Sequence, residues 1–503
     1  MRSHVQIAWA ILQLLLSIVA IAFALGAPTN PSRVFILSCL GLVLCSLAIV
    51  VIAKLQEPKP RNWLTVEVLF ALSYSVIHFA YICYWLLGFF PAGSELWFYR
   101  AANCPHTVNT GIAMYAACLC GFQCGFYLLP LRRVRSRMLT DWVHPGLARQ
   151  WGALGRILIR MGFLAFAGFV MIIGPQIVFG YYRGTNVYGF VPNIFFQLGQ
   201  VWTLAGIAIS TASHQTMFIR RPGRGRLFGF GRLDVALIAI TVVAIGMHGD
   251  RSTLLFIFLG FLVAHNEYAR PLSLRFLSLL GLDTIFALGF IVTVRSVGTK
   301  FQTYDPLENI NVALANLGGS SLCGFVAVDY VPDRHDYYYG RMQTLSLAGI
   351  MPFGRRLLGM KDSIENSSSM LMTKLIQGFT GKGVAGTGTS VFADFYLDFG
   401  FLITLGIFIG IGYLSKYIQN AARCSLSLRW QVALITYVTF IALMSRYTFV
   451  GGLIRYVIYG VLYATVVAMF FGIRMVASPP SFRSSRAPGP MLDPSSSSAP
   501  AAR

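Results

Sequence analysis

The stretch GKGVAGTGTSVFADFYLDFG, residues 381–400, closes a long polar segment and opens an apolar one. Between residues 295 and 395 no apolar run is long enough to cross a bilayer, for which a helix needs about 20 largely apolar residues. On both sides of this segment the chain consists mostly of such runs. The sequence therefore predicts a membrane protein with one long loop on one side of the bilayer.

The composition excludes a water-soluble globule. Of 503 residues, 56% are hydrophobic and 12% are charged, and so few polar residues cannot cover so much apolar volume. The formal net charge of +22 would suit a nucleic-acid-binding protein. However, Lys and Arg occur in short clusters between apolar runs, as in the cytoplasmic loops of membrane proteins. We therefore expect a lipid bilayer, and no nucleic acid, as a partner.

The apolar stretches predict an all-α polytopic fold with about 12 transmembrane helices. They lie near residues 7–25, 34–53, 64–88, 106–129, 156–178, 191–213, 233–248, 251–265, 276–294, 396–415, 430–446 and 453–473. Helices 1–9 would occupy residues 1–294, the long loop residues 295–395, and helices 10–12 residues 396–474. Residues 475–503 are rich in Pro and Ser and predict a disordered tail.

The basic clusters predict the orientation. RRVRSR at 132–137 and RRPGRGR at 220–226 fall in alternate loops, whereas the short loops between them carry few basic residues. Because basic loops stay in the cytoplasm, both termini are predicted to be cytoplasmic and the 295–395 loop to lie outside.

Four arginines are predicted to lie at the outer ends of membrane helices: Arg251, Arg295, Arg446 and Arg455. Arg251 follows a Gly-Asp turn at the start of a helix, where free amides and the helix dipole favour an anion such as phosphate. The alternative for Arg251 is a side chain that only extends to the interface. Charged residues at membrane depth are costly and indicate function, which favours a membrane-embedded anion as ligand.

The loop also carries side chains suited to a sugar. In DRHDYYYG at 333–340, tyrosine rings can pack on sugar faces and polar groups can bind hydroxyls. The alternative is an aromatic belt at the membrane interface. The residues predicted to bind substrate are Arg334, His335, Tyr339, Arg341, Arg355, Tyr396, Arg446 and Arg455.

Asp394 is the candidate general base. It lies four residues before Asp398, hence on the same face of the helix that enters the membrane. The alternative for each carboxylate is a structural pair with an arginine. The glycines of the preceding run do not form a nucleotide-binding loop, because Gly381-Lys382 comes too early and follows no strand. No metal or cofactor is expected.

The cysteines show no metal-ligand spacing. In the predicted topology only Cys104 and Cys323 face outward, and whether they pair is left open by the sequence.

Three motifs together resemble the bacterial Wzy polymerases, which assemble polysaccharide repeats and belong with the O-antigen ligases and the GT-C-like membrane glycosyltransferases. They are Gly249-Asp250-Arg251, Tyr339-Gly340 with the later Ile350-Met351-Pro352, and the Gly-Thr-Ser-x-x-x-Asp-x-Tyr-x-x-Phe-Gly run at 388–400. The resemblance covers residues 213–471. Many relatives have Glu at the position of Asp394 and Asn at a later one, so the base assignment stays open.

The resemblance implies polymerisation at the periplasmic face of the bacterial inner membrane. A growing glycan on undecaprenyl pyrophosphate would be transferred to the terminal sugar of an incoming lipid-linked repeat. Asp394, Arg251 and Arg295 would be catalytic, with the arginines stabilising the leaving pyrophosphate and the loop covering the site. A chain-length regulator and a flippase would be partners. The alternatives are a ligase-like transferase, which differs in its acceptor, and a flippase or other transporter, which would be expected to show repeated halves.

The topology yields a direct prediction. Reporters fused at Arg137 and Arg224 should be cytoplasmic, and a reporter fused at Gly340 should be outside, because the basic clusters remain on the cytoplasmic side. Paired phosphatase and fluorescent-protein fusions measure this. A reporter at Arg224 that proves to be outside contradicts the twelve-helix arrangement.

Overall fold

The computed structural model describes residues 2–57, 61–88, 105–130, 145–174, 190–218, 230–248, 251–268, 271–281, 320–350, 354, 367–380, 389–425 and 427–476. Throughout these ranges the regular structure is helical, with no β-strand and one isolated bridge between Ser427 and Val476. The helices are α1 (Arg2–Leu25), α2 (Arg33–Leu55), α3 (Val66–Leu86), α4 (Pro105–Leu128), α5 (Pro145–Ile173), α6 (Phe190–Phe218), α7 (Arg232–His248), α8 (Arg251–Tyr268), α9 (274–281), α10 (320–330), α11 (Arg341–Ile350), α12 (Ser368–Thr380), α13 (Val391–Cys424), α14 (Leu428–Leu443), α15 (Phe449–Gly452) and α16 (Tyr459–Phe470). A 3₁₀ turn, Met444–Arg446, follows α14, and a π-helix, Leu453–Ile458, joins α15 to α16.

The described residues contain nine helices that are long and apolar enough to cross a membrane. They are His4–Leu25, Arg33–Leu55, Val66–Cys83, His106–Leu128, Gly146–Ile173, Val191–Ser213, Val391–Cys424, Leu428–Arg446 and Phe449–Phe470. The polytopic all-α class is thus confirmed. Helices α7 and α8 match the predicted seventh and eighth stretches but are not among these nine, and most of the ninth stretch lies outside the described residues.

The helices bury polar groups and expose apolar ones, as expected when lipid rather than water surrounds a bundle. In α1 and α2, Leu15 and Leu44 are exposed, whereas Gln13 and Ser46 are buried. The hydroxyl of Ser46 donates to Oε1 of Gln13 over 2.8 Å, and Nε2 of Gln13 donates to the Ser46 carbonyl over 3.1 Å. The polar side chains therefore hold the helices together from within.

Helix α4 packs along α13 at backbone contact distance. An added Cβ at Gly125 would lie 1.9 Å from the carbonyl oxygen of Ile409, and one at Gly412 would lie 2.0 Å from that of Phe122. Small residues permit this approach in membranes, where close packing rather than the hydrophobic effect drives helix association. The pair α4–α13 is thus a central contact of the bundle.

Helix α13 begins at Val391, earlier than the predicted tenth stretch, and is broken at Gly400. The glycine has φ 72° and ψ −177°, a left-handed conformation that other residues rarely adopt. An added Cβ there would also lie 3.0 Å from the ring of Tyr337. The break separates a short first segment, which carries Asp394 and Asp398, from the long apolar remainder.

Charged side chains join the helices at the other end of α13. Lys54 Nζ lies 2.7 Å from a carboxylate oxygen of Glu67, and both side chains are almost fully buried. Nε of Arg423 lies 3.2 Å from a carboxylate oxygen of Glu267. Buried charges need such partners, because an isolated ion loses its hydration without compensation.

Substitution of the packing glycine should loosen the bundle. Gly412→Ala places a methyl group against backbone atoms of α4 and should lower the free energy of unfolding by about 1–3 kcal/mol, measurable as a lower Tm in detergent. Gly410→Ala is the matched control, because no atom lies within 4 Å of its added Cβ. Equal Tm values for the two variants would contradict the close packing of α4 on α13.

Candidate functional site

The side chain of Asp398, on α13, caps the amino-terminal end of the loop helix α11. Its Oδ1 accepts the backbone N–H of Met342 over 3.0 Å, and its Oδ2 accepts that of Gln343 over 3.1 Å. The residue that precedes α11, Gly340, has no side chain for this purpose. A carboxylate at a helix N-terminus satisfies free amides and interacts favourably with the helix dipole. Asp398 thereby attaches the predicted outer loop to the membrane helix.

The break at Gly400 supplies two further attachments. In an unbroken helix the carbonyls of Leu397 and Asp398 would accept from residues four positions on, beyond the break. Here they accept instead from the backbone N–H groups of Tyr338 and Tyr339, each over 2.9 Å. The loop segment is therefore joined to α13 through main-chain hydrogen bonds at the point where the helix is interrupted.

Asp394 is enclosed by two loop helices. Its side chain is fully buried, Oδ1 accepts the hydroxyl of Ser368 over 2.6 Å, and Oδ2 accepts Nε2 of Gln343 over 2.8 Å. Its role as general base stays a prediction. Because the carboxylate is fully buried in this conformation, a substrate hydroxyl reaches it only if the surrounding groups move.

An ion pair with an arginine is the structural alternative for both carboxylates. In the described part of the chain, the ion pairs include neither Asp394 nor Asp398, whose side chains accept hydrogen bonds from neutral groups. The partners are a hydroxyl, an amide side chain and backbone amides. Sequence reasoning has no means of choosing these partners, because Gln343 and Ser368 lie far from Asp394 along the chain.

The predicted sugar-binding aromatics differ in exposure. Tyr339 is 77% exposed and has φ 50°, a conformation that is uncommon for a bulky residue and is associated with functional sites. Tyr396 is buried, with its ring stacked on Phe392 at 5.4 Å between centroids. His335 lies between Tyr330 and Tyr338, stacked at 5.4 and 4.6 Å. Only Tyr339 of these three presents an open face to a ligand.

The predicted arginines separate into two groups. Arg446 and Arg455 lie on the 3₁₀ turn and on the π-helix, which flank α15 beside α11. Ser346 of α11 hydrogen-bonds Thr448 over 3.1 Å, so the two arginines lie at the same end of the bundle as Asp398. Arg334 and Arg341 are instead exposed at the outer surface.

The remaining predicted residues are only partly described. Arg251 begins α8, which packs beside the π-helix through Phe256 and Tyr456, with ring centroids 4.2 Å apart. The side chain of Arg251 lies outside the described part of the chain, as do Arg295, Arg355 and Cys104. Cys323 is buried.

Sequence reasoning missed an interacting triad at the start of α4. His106 Nε2 lies 3.2 Å from Oδ1 of Asp329, and Arg334 Nη2 lies 2.9 Å from Oδ2 of the same carboxylate. Asp329 is buried in α10, whereas His106 is about half exposed. His106 falls within the predicted apolar stretch 106–129, and its spacing from Asp329 carries no periodic signal. In the described residues no group of three or more His, Cys, Asp or Glu forms a metal site.

Comparison of the chain with protein-family models, with curated proteins and with solved structures found no match.

Loss of the Asp398 cap should release α11. Asp398→Asn leaves one acceptor for two N–H donors and removes the charge, which should cost about 1 kcal/mol and increase amide exchange in residues 342–346 roughly fivefold. Hydrogen–deuterium exchange with mass spectrometry measures this. Asp336→Asn, a change at an exposed loop carboxylate, is the control. Unchanged exchange in Asp398→Asn would show that the cap contributes nothing to α11.

Proposed function

We propose that this protein is a membrane-embedded glycosyltransferase that polymerises lipid-linked oligosaccharide repeats in the synthesis of a bacterial surface polysaccharide. It transfers the growing glycan from undecaprenyl pyrophosphate to the terminal sugar of an incoming repeat, at the periplasmic face of the inner membrane. The proposal includes the GT-C-like arrangement of twelve membrane helices with both termini in the cytoplasm. A chain-length regulator and a flippase are proposed partners.

The observation that carries this proposal is the unpaired Nε of Arg455. This one atom is buried and has no hydrogen-bond partner in the described residues, and the ion pairs found there involve neither Arg455 nor Arg446, whose side chains are partly buried. A cationic nitrogen that is buried without an acceptor is costly within a membrane. A pyrophosphate is the anion that would satisfy it, because its oxygens match the guanidinium in charge and geometry.

The π-helix that holds Arg455 supports the same assignment. π-helical turns are rare and occur frequently at functional sites. This turn runs from Leu453 to Ile458 and packs beside α8, whose first residue is Arg251. The amino-terminal end of α8 would contribute free amides to the same anion. Two predicted pyrophosphate ligands thus belong to neighbouring elements.

The loop helices support a transfer reaction rather than hydrolysis. Helix α11 is attached to α13 through Asp398, and α12 through the Ser368–Asp394 hydrogen bond. These helices cover the end of the bundle where the arginines lie, which would exclude water from a reactive donor. The pyrophosphate is already a good leaving group, so arginines suffice to stabilise its developing charge. The exposed ring of Tyr339 is available for a sugar of the acceptor.

Deletion of the gene should leave single repeats on the cell surface instead of long polymer. A gel of surface polysaccharide measures this. Complementation with wild-type protein should restore polymer, whereas Arg455→Lys should not, because an ammonium cannot reproduce bidentate binding.

Other outcomes identify other functions. Unmodified acceptor with accumulated lipid-linked polymer would indicate a ligase. Loss of every surface form would indicate a flippase. Full restoration by Arg455→Lys, at equal protein level, would contradict the proposed pyrophosphate contact.

A further inference from the structure

We propose that His106 is the general base that takes the proton from the acceptor hydroxyl, and that Asp329 positions it. This inference rests on the proposed transferase function. It assigns a catalytic role to His106 and a positioning role to Asp329, and no sequence motif indicated either residue. The proton is then taken by His106 and not by the enclosed Asp394 carboxylate.

The side chains of His106 and Asp329 lie close together. His106 Nε2 lies 3.2 Å from Oδ1 of Asp329, within reach of a hydrogen bond from the imidazole N–H. The carboxylate is 2% exposed and the imidazole 48%. When Nε2 carries the proton toward the carboxylate, Nδ1 carries the lone pair. A buried carboxylate thus lies beside an accessible imidazole and can stabilise its protonated form.

The packing of α4 against α10 holds the His106–Asp329 pair rigidly. Helix α4 meets α10 along one face, at positions four residues apart. The hydroxyl of Thr107 donates to the Phe325 carbonyl over 3.3 Å, and the ring of Phe325 fills the space beside Gly111. One turn further, Tyr115 donates to the Ser321 carbonyl over 2.5 Å. A base held by packed helices keeps the precise position that proton transfer requires.

The position of the His106–Asp329 pair also favours this role. Arg446 lies close enough to Cys323 of α10 to act on it electrostatically. Asp329 lies six residues further along α10, about 9 Å at the usual rise per residue. Asp329 therefore lies on the helix beside Arg446, one of the arginines at the proposed anion site.

Arg334 completes the arrangement. Its Nη2 donates a hydrogen bond to Oδ1 of Asp329 over 3.2 Å, the oxygen that also faces His106, and lies 2.9 Å from Oδ2. The guanidinium holds the carboxylate in place, and the carboxylate can stabilise the imidazolium formed during the reaction. The predicted substrate-binding arginine is thereby given a positioning role.

The proposed glycosyl transfer conserves atoms and electrons. The acceptor oxygen forms a bond to the anomeric carbon of the donor sugar, while the bond from that carbon to the pyrophosphate oxygen breaks. The electron pair of the broken bond leaves with the pyrophosphate. The acceptor proton moves to Nδ1 of His106, and the imidazolium returns it to water after transfer. No oxidant, reductant or metal is required.

The test measures polymer formation by purified protein, with lipid-linked repeats extracted from the deletion strain as substrate. His106→Ala should lower kcat by about 10²–10⁴-fold with little change in KM. Added imidazole should recover at least about tenfold of the loss, because the free base can enter the vacated position. Asp329→Asn should lower kcat without rescue by imidazole. His4→Ala, a change at an exposed histidine near the amino terminus, is the control.

Each other result overturns the inference. A near wild-type rate for His106→Ala removes the base role, and a loss without imidazole rescue shows a structural role. A loss confined to Asp394→Asn assigns the base to Asp394 instead. Absence of polymer with the wild-type protein overturns the proposed function together with this inference, whereas wild-type polymerisation with an unaffected His106→Ala overturns the inference alone.

Discussion

The left-handed break of α13 at Gly400 is the constraint on which the functional end of the protein depends. It releases the carbonyls of Leu397 and Asp398 from the helix, and both accept hydrogen bonds from the loop. The same break makes room for the ring of Tyr337. Without it, the carbonyls would be used within the helix and the loop would lose its main-chain attachment.

Charged side chains near the two ends of α13 differ in whether they have partners within the protein. At one end, Lys54 pairs with Glu67 and Arg423 with Glu267, so the charges are compensated within the protein. At the other end, Arg455 has a buried Nε without a partner in the described residues. Under the proposed function, an external anion compensates this buried nitrogen.

The carboxylates at the amino-terminal end of α13 also differ in their access to solvent-exposed groups. Asp394 and Asp398 hold loop helices against α13 and are fully buried in this conformation. Asp329 is almost as buried but lies beside an exposed imidazole. In the proposed mechanism, a buried carboxylate that acts through a histidine avoids the conflict between rigid packing and access. The proposal thus lets one short region both anchor the loop and serve the reaction.

The amino-acid sequence by itself determined the all-α membrane class, because hydrophobic run length is set by bilayer thickness and is read directly from composition. It also placed Asp394 and Asp398 on one helix, since a spacing of four residues is local. The partners of these carboxylates, the approach of Gly412 to α4 and the His106–Asp329 pair were decided by the tertiary structure. Each joins residues from distant parts of the chain, and helical periodicity specifies which face is apolar but not which helix packs against it.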